Sequence, residues 1–477
     1  MQNHQLLIDG KWHDAEDGRT IPVVNPNNGL AHGALARGNG RDINKAVAAA
    51  SKAFHGPWGK MAALEKGRLI YRLGELILRN EDELSHLEAN DVGKPLTQSR
   101  NDVRALARYC EFYAGAVDKT HGETIPYLEG YTVLTIREPL GVTAHIIPWN
   151  YPMQIIGRSV IGSLTAGNCV VIKPGEDASL TTLFFGKLAL EAGFPVGTIN
   201  IVTGYGLEAG APLSSHPGVN HISFTGSNQV GTLIQKAAAD NTVPVTLELG
   251  GKSPQLIFAD ANLDASLPVV VNASIQNAGQ TCSAGSRVLV ESQIYDTFSQ
   301  MLAQRFAELT VGPAEADHST GPLINPSQLA RVNDFLSQSN DLEVLARGTI
   351  VDDAPQGGYY TTPVLLGEVP PTHVLAQEEI FGPVLTLIRF SGEEEAITIA
   401  NGTHYGLVAS VWTTDGARQL RVARALQSGQ VFINNYGAGG GVELPFGGVK
   451  SSGYGREKGL EALKSFTALK TIAIQHG

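Results

Sequence analysis

Three residues stand in settings that could support chemistry. Cys282 lies in Gly279-Gln-Thr-Cys282-Ser-Ala-Gly-Ser-Arg287, where small residues leave the sulfur and the backbone N–H groups accessible. A thiol nucleophile needs that access and a neighbouring donor or base. Most lone cysteines are inert small hydrophobes, and Cys110 and Cys169, set in helix and strand patterns, fit that description. Glu248 ends an apolar strand pattern in Thr246-Leu-Glu248-Leu-Gly250-Gly251. Burial raises a carboxyl pKa towards the range of a general base; the alternative is an acid that caps the next turn. Pro148-Trp149-Asn150-Tyr151-Pro152 holds an amide between two prolines. A rigid amide donor suits an oxyanion, and a plain Pro-rich turn is the other reading.

Two further patterns suit a nucleotide. Lys173-Pro-Gly-Glu176 follows an apolar run, and a Lys with an acid three residues on can grip the vicinal hydroxyls of a ribose or form a surface ion pair. A Gly-rich turn after a strand brings helix N–H groups to phosphate. The candidates are Gly204-Tyr-Gly206-Leu-Glu-Ala-Gly210 and Gly226-Ser227-Asn-Gln-Val230-Gly231. Neither is a GxGxxG, each alone is a weak signal, and an ordinary strand–helix turn is the more economical reading.

The elements that must position these residues alternate from Gly130 onwards. Tyr131–Arg137 reads as a strand, followed by short apolar runs at Val142–Ile147, Cys169–Ile172, Ile199–Val202, His221–Phe224 and Val245–Leu249. Helical patterns intervene at Met153–Ala166, Leu180–Ala192 and Gln229–Ala239. Such alternation predicts βαβ units and a parallel sheet. A second α/β series follows Gly251, with strands near Leu256–Phe258, Val288–Val290 and Val431–Asn434. The first hundred residues read as mainly helical: Asp42 can cap a helix through Phe54, Leu69 to Ile77 keep helical spacing up to Asn80, and another helix spans about Asn101 to Val117. The expected picture is two α/β domains with a cleft between them.

Composition narrows the function. With 43% hydrophobic residues in 477, the chain buries a sizeable core, which excludes disorder. A net charge of −11 without a dense Lys/Arg run argues against nucleic acid and anionic membranes as partners. No window resembles a membrane span or a secretory leader. Three scattered cysteines form no metal or disulfide framework, so no metal is expected and a cytoplasmic location is the default. Fifty-four glycines suggest many tight turns and close backbone approaches.

Six ordered signatures carry a resemblance: Pro148-Trp-Asn150, Lys173-Pro-Gly-Glu176, Leu247-Glu248-Leu-Gly-Gly251-Lys-Ser-Pro254, Gly279-Gln-Thr-Cys282, Glu378-Glu379-Ile-Phe381-Gly-Pro383 and Pro445-Phe446-Gly-Gly-Val-Lys450-Ser-Ser-Gly453-Tyr-Gly-Arg456-Glu. Over essentially its whole length the sequence resembles the NAD(P)-dependent aldehyde dehydrogenase superfamily. The resemblance implies an α/β fold: a Rossmann-like NAD-binding domain (1–121 and 140–250), an α/β catalytic domain (251–445) and a small β oligomerisation arm (122–139 and 466–477). It implies that Cys282 is the nucleophile and that Asn150 and the Cys282 N–H hold the oxyanion. Glu248 would activate the water that hydrolyses the thioester. Lys173 and Glu176 would hold the adenosine ribose, the carboxylate favouring NAD over NADP. Glu379 would hold the nicotinamide ribose, and Phe381 would position the nicotinamide. Gly206, Gly226, Ser227 and Val230 would surround the pyrophosphate and adenine, while Trp149 and Leu249 flank the cofactor. A homodimer or homotetramer and a small-molecule aldehyde complete the implied partners.

The substrate pocket is expected to involve Tyr151, Arg158, Gln276 and Phe446. Arg158 lies where several semialdehyde dehydrogenases of the family place a carboxylate-binding arginine, but Gln276 stands where they have a second one. Arg158 and Gln276 therefore suit a polar or carboxylate-bearing aldehyde; equally, Arg158 is an ion-pair partner at the tunnel mouth. The small wall segment Gly437-Ala-Gly-Gly-Gly441 implies a roomy pocket. A CoA-acylating semialdehyde dehydrogenase is the near rival, although such enzymes usually lack the water-activating acid that Glu248 supplies here. A catalytically silent protein on the same scaffold is the third reading.

Overall fold

The parallel run of short apolar segments builds one twisted sheet. The computed structural model describes residues 2–476, apart from the side chains at positions 2, 438 and 439. Five parallel strands lie in the order Val245–Glu248, His221–Thr225, Val142–Ile146, Cys169–Lys173 and Ile199–Ile201. The chain starts in the middle, moves to one side, then crosses to the other. Its direction reverses between Val142–Ile146 and His221–Thr225, and such switch points open a crevice at the strands' carboxyl ends. Pro148–Asn150, Gly226–Ser227 and Glu248 all lie at those ends. Cys169, Val170, Val171 and Ile172 are wholly buried, as both faces of a parallel sheet require.

A second sheet follows Gly251. Its order is Glu343–Arg347, Val364–Gly367, Val384–Phe390, Arg287–Glu291, Pro254–Ile257, Val408–Trp412 and Gln430–Ile433, and the first of these is antiparallel to its neighbour. Between Pro254–Ile257 and Arg287–Glu291 runs the helix Leu263–Ile275, and its end leads into the turn that carries Cys282. The chain then returns to the first sheet. Gly453–Tyr454 pairs antiparallel with the strand of Glu248, setting Gly453 opposite Glu248. A third sheet joins Thr467–Gln475, Tyr131–Pro139 and Thr124–Ile125; Gly477, the last residue of the expected arm, lies outside the described residues.

The expected strands and helices of residues 130–290 form within a residue or two, except that the Met153–Ala166 helix is interrupted. It runs as Pro152–Ile155, a wider π turn over Ile156–Ile161, and Gly162–Thr165. Gly157 faces the ring of Tyr109, which a Cβ there would meet at 2.2 Å.

The N-terminal reading needs correction. Residues up to Ala36 form strands, not helices: Leu6–Ile8 and Lys11–His13 extend the first sheet antiparallel, while Thr20–Asn25 and Leu30–Ala36 pair beside it. These strands are short and borrow their pairing from the sheet, so their local pattern is weak. The helix Gly40–His55 is capped by Asn39, and Asp42 closes the capping box from the third helical position. The later helix begins earlier than expected and spans Leu96–Ala114, with Pro95 before it and Gly115 after.

Candidate active site

A cavity of about 1160 Å³ opens where the two large sheets meet. It brings together twelve of the seventeen expected site residues: Trp149, Asn150, Tyr151, Arg158, Gly226, Ser227, Glu248, Gln276, Cys282, Glu379, Phe381 and Phe446. The other five, Lys173, Glu176, Gly206, Val230 and Leu249, are not on its wall.

Cys282 sits half-buried in a turn held from both sides. Asn150 Nδ2 donates to the Gln280 carbonyl at 2.9 Å, and Asn277 Nδ2 donates to the Asn150 carbonyl at 3.0 Å. These bonds lock the Asn150 amide beside the cysteine turn and leave its second N–H for a ligand. Burial pushes the Cys282 thiol up to about 12, although Arg158 favours the thiolate. The other two cysteines are buried without such a setting, and burial raises both thiols.

Glu248 is 1% exposed, and neither carboxylate oxygen has a hydrogen-bond partner among the described residues. Burial, then the neighbouring Glu457, pushes its pKa well above the ordinary range. Buried polar atoms are nearly always paired, so two orphaned oxygens on a cavity wall mark a group kept for a ligand or water. Room for this carboxylate depends on Gly447. Its φ of +154° lies in glycine's range, and a Cβ there would approach Glu248 Oε1 to 2.9 Å.

The opposite part of the cavity is built for a different ligand. Glu379 accepts from the Gly251 N–H at 3.0 Å, and burial lifts its carboxyl to about 7. Phe381 is held at φ +59° with its ring edge-on to Trp149, the centroids 5.5 Å apart. Ser227 caps the helix Asn228–Asp240, whose N-terminus faces the switch-point crevice. Below it, Lys173 Nζ donates to Glu176 Oε2 at 2.7 Å, and Lys173 is 3% exposed while Glu176 is more open. Gly231 packs so closely under Leu249 that a Cβ would meet Leu249 Cδ2 at 2.7 Å.

Arg158 is not a free arginine at the tunnel mouth. It is 7% exposed, its Nε stands 2.5 Å from Glu457 Oε2 in a bent ion pair, and Nη2 donates to Thr225 Oγ1 at 3.1 Å. Of the two readings of Arg158, the structure places it in an ion pair, at depth rather than at the mouth. Gln276 is half-buried on the cavity wall. Gly437 and Gly440 also line the cavity with open space where a Cβ would stand; the side chains at 438 and 439 lie outside the described residues.

Sequence reasoning passed over Glu457 and Lys458, which follow Arg456 directly, and Tyr436, whose hydroxyl donates to the Ser283 carbonyl at 2.5 Å. Glu457 also accepts from Ser223 Oγ at 2.7 Å. Their signal was present: an acid and a base standing together in a stretch otherwise rich in small residues.

A thiol, an unpartnered acid and a fixed amide on one wall, beside a doubly wound sheet's switch point, define a cysteine-centred enzyme on a dinucleotide-type fold. The sequence profile described as the aldehyde dehydrogenase family matches residues 12–472. A protein from Burkholderia cenocepacia, provisionally called an aldehyde dehydrogenase, shares 61% identity and superposes with a TM-score of 0.99 over 99% of this chain and 100% of its own. Betaine aldehyde dehydrogenase from Staphylococcus aureus, solved in complex with NAD+, is 33% identical with a TM-score of 0.96 over 99% of this chain and 95% of its own. The mitochondrial aldehyde dehydrogenase family 2 member B4 of Arabidopsis thaliana is 40% identical over 98% of this chain and 87% of its own length. The chain belongs to the aldehyde dehydrogenase family, the oxidoreductases that convert aldehydes to carboxylic acids.

Proposed function

We propose that this chain oxidises an aldehyde to its acid with NAD, through a thioester on Cys282 that Glu248 hydrolyses. The observation that carries the reading is the Glu248 carboxylate, buried in the cavity that also holds Cys282 and lacking a partner among the described residues for either oxygen. The Cys282 sulfur adds to the carbonyl carbon. The oxygen that gains charge is met by the free N–H of Asn150 and by the Cys282 backbone N–H, which has no acceptor among the described residues. A nicotinamide dinucleotide, when bound, supplies the acceptor for the hydride that leaves this carbon. Glu248 then takes a proton from water as the water attacks the thioester; the C–S bond breaks, and the acid departs.

The residues present fit such a dinucleotide. Gly250 makes a cradle that a Cβ would fill, since it would lie 2.5 Å from Glu379 Oε2. Glu379 would hold one ribose and the Lys173–Glu176 pair the other, and Trp149 and Phe381 would frame the nicotinamide. The capped helix N-terminus at Ser227 suits the diphosphate; Gly206, Gly226, Val230 and Leu249 are assigned to its surroundings. Tyr151, Gln276 and Phe446 form the substrate side, with Arg158 held against Phe446 at 4.7 Å from the ring centroid.

Two results test these roles. Asn150→Ala should lower kcat/KM by roughly 10²–10³-fold, the usual effect of losing one oxyanion donor; an unchanged value would remove Asn150 from the oxyanion site. Glu176→Gln should raise NADP affinity at least about tenfold relative to NAD, as one like-charge contact near 1.4 kcal/mol implies. Calorimetric titration of both dinucleotides reads this directly, and an unchanged NAD/NADP ratio contradicts the ribose assignment.

We divide the chain into a dinucleotide-binding domain (1–121 and 140–250), a catalytic domain (251–445) and an arm (122–139 and 466–477). The exposed Leu469 and Ile474 on the arm's long strand favour a homodimer or homotetramer. Three unpaired cysteines favour a reducing compartment such as the cytoplasm. Among the described residues no helix is long and apolar enough to cross a membrane.

A further inference from the structure

We propose that Lys458 is the specificity-determining residue of this site and that it selects aldehydes bearing a distal carboxylate. The inference rests on the reading of the cavity as an aldehyde-oxidising site.

Lys458 lines the cavity together with Tyr151, Arg158 and Phe446. Its ammonium stands 5.4 Å from the Phe446 ring centroid and 6.0 Å from that of Tyr109. One N–H bond goes to the Gly440 carbonyl at 3.2 Å. Among the described residues no carboxylate lies within ion-pair distance of it, so two of its three donors are uncommitted. The backbone at Lys458 is held at φ +62°, the left-handed region that a lysine enters only at a cost. Residues kept in such conformations cluster at ligand sites.

The other charged side chains around it are engaged in ion pairs, and Lys458 is not. Arg158 is matched by Glu457. Asp102, also on the wall, is engaged by Lys94 and by Gln154 Nε2, the latter at 3.0 Å. Arg108 is matched by Glu443 and Glu111, and Arg104 by Glu81. Burial disfavours the charged form of Glu248. Lys458 is therefore an ammonium on the substrate side, beside aromatic rings and without an ion-pair partner among the described residues, which a ligand carboxylate complements. A half-buried ammonium left unpaired is unfavourable, and a carboxylate ligand relieves it.

The arrangement also predicts a pH signature. Burial, and then Arg158, lower the lysine to about 8, while Glu457, Glu248 and Cys282 oppose the fall. Glu443 and Tyr109 face the same ammonium from the neighbouring segments. The charged form is present below this value and is lost as the pH rises through it. Preference for the acid should therefore decline above about pH 8, because turnover of the alkyl aldehyde does not depend on the charge of Lys458.

The test compares 4-oxobutanoate with butanal on the full-length enzyme with NAD, scoring the ratio of their kcat/KM values. Lys458→Met should lower that ratio at least tenfold, chiefly through KM for 4-oxobutanoate. Lys458→Arg should restore it to within about fivefold of the parent, and only the parent should lose preference as the pH rises through about 8, because the arginine stays charged there. An unchanged ratio in Lys458→Met, or an equal loss on both aldehydes, overturns the assignment, the latter result marking a structural role. A parent enzyme that oxidises neither aldehyde instead removes the reading of the site on which the proposal rests.

Discussion

Glu248→Gln should form the acyl-enzyme and then stall. The expected record is a burst of NADH approaching one equivalent per active site, followed by a steady rate lower by roughly 10²–10⁴-fold, the range for loss of a general base. The amide keeps the volume of the acid and cannot take a proton from water. Burial disfavours the charged carboxyl, and Tm should move by less than roughly 3 °C. The sign of the pH effect follows from the same burial. A carboxyl with a raised pKa gains its basic form only as pH climbs, so hydrolysis in the parent should accelerate from acid into alkaline conditions and the variant should lose that rise. Added CoA should leave the parent rate unchanged; a CoA-dependent rate would assign product release to thiol transfer, the near rival among the three readings.

Cys282→Ala should abolish turnover, with a loss of roughly 10⁴–10⁶-fold, the scale seen when a nucleophile is removed. The loss should leave NAD affinity within about threefold of the parent, because Glu379, Lys173 and Glu176 are untouched. Stopped-flow NADH formation measures the first quantity and calorimetric titration the second. Undiminished turnover would refute the nucleophile; a parallel loss of NAD binding would mean that the cavity had collapsed. Alkylation of the parent supplies a second readout. With the thiol pushed up to about 12, iodoacetamide should modify Cys282 slowly at neutral pH and about tenfold faster per pH unit above it. The buried Cys110 and Cys169 should remain unmodified in the folded enzyme.

What the sequence revealed of this fold depended on how local each signal was. The five parallel strands were legible because every one is a short, mostly apolar run at regular spacing between helical patterns, as strands buried on both faces require. The N-terminal strands were not. Leu6–Ile8 is three residues long and takes its place from antiparallel pairing with Ile201, a partner far along the chain. The π turn at Ile156–Ile161 escaped for a similar reason, since it answers to Gly157 packing on Tyr109 rather than to any local propensity.

The site divides in the same way. Asn150, Glu248 and Cys282 stand out in their own segments, and the fold sets them on one cavity wall. Arg158 could not be read alone, because its character depends on Glu457, a residue brought beside it when the chain returns to the strand of Glu248. That return also carries Lys458 into the cavity, so the residue proposed to choose the substrate is fixed by tertiary structure. The glycine excess acquires addresses: Gly447 leaves room for the Glu248 carboxylate, and Gly250 leaves room for that of Glu379.

The central claim is a thioester on Cys282 that Glu248 resolves. The most direct measurement is acid-quench mass spectrometry of Glu248→Gln after mixing with NAD and butanal for one burst phase. The account predicts that the peptide carrying Cys282 gains the mass of the aldehyde less two hydrogens, and that the adduct is removed by hydroxylamine. An unmodified Cys282 peptide at the end of a full NADH burst, or the same mass found on another residue, would contradict it.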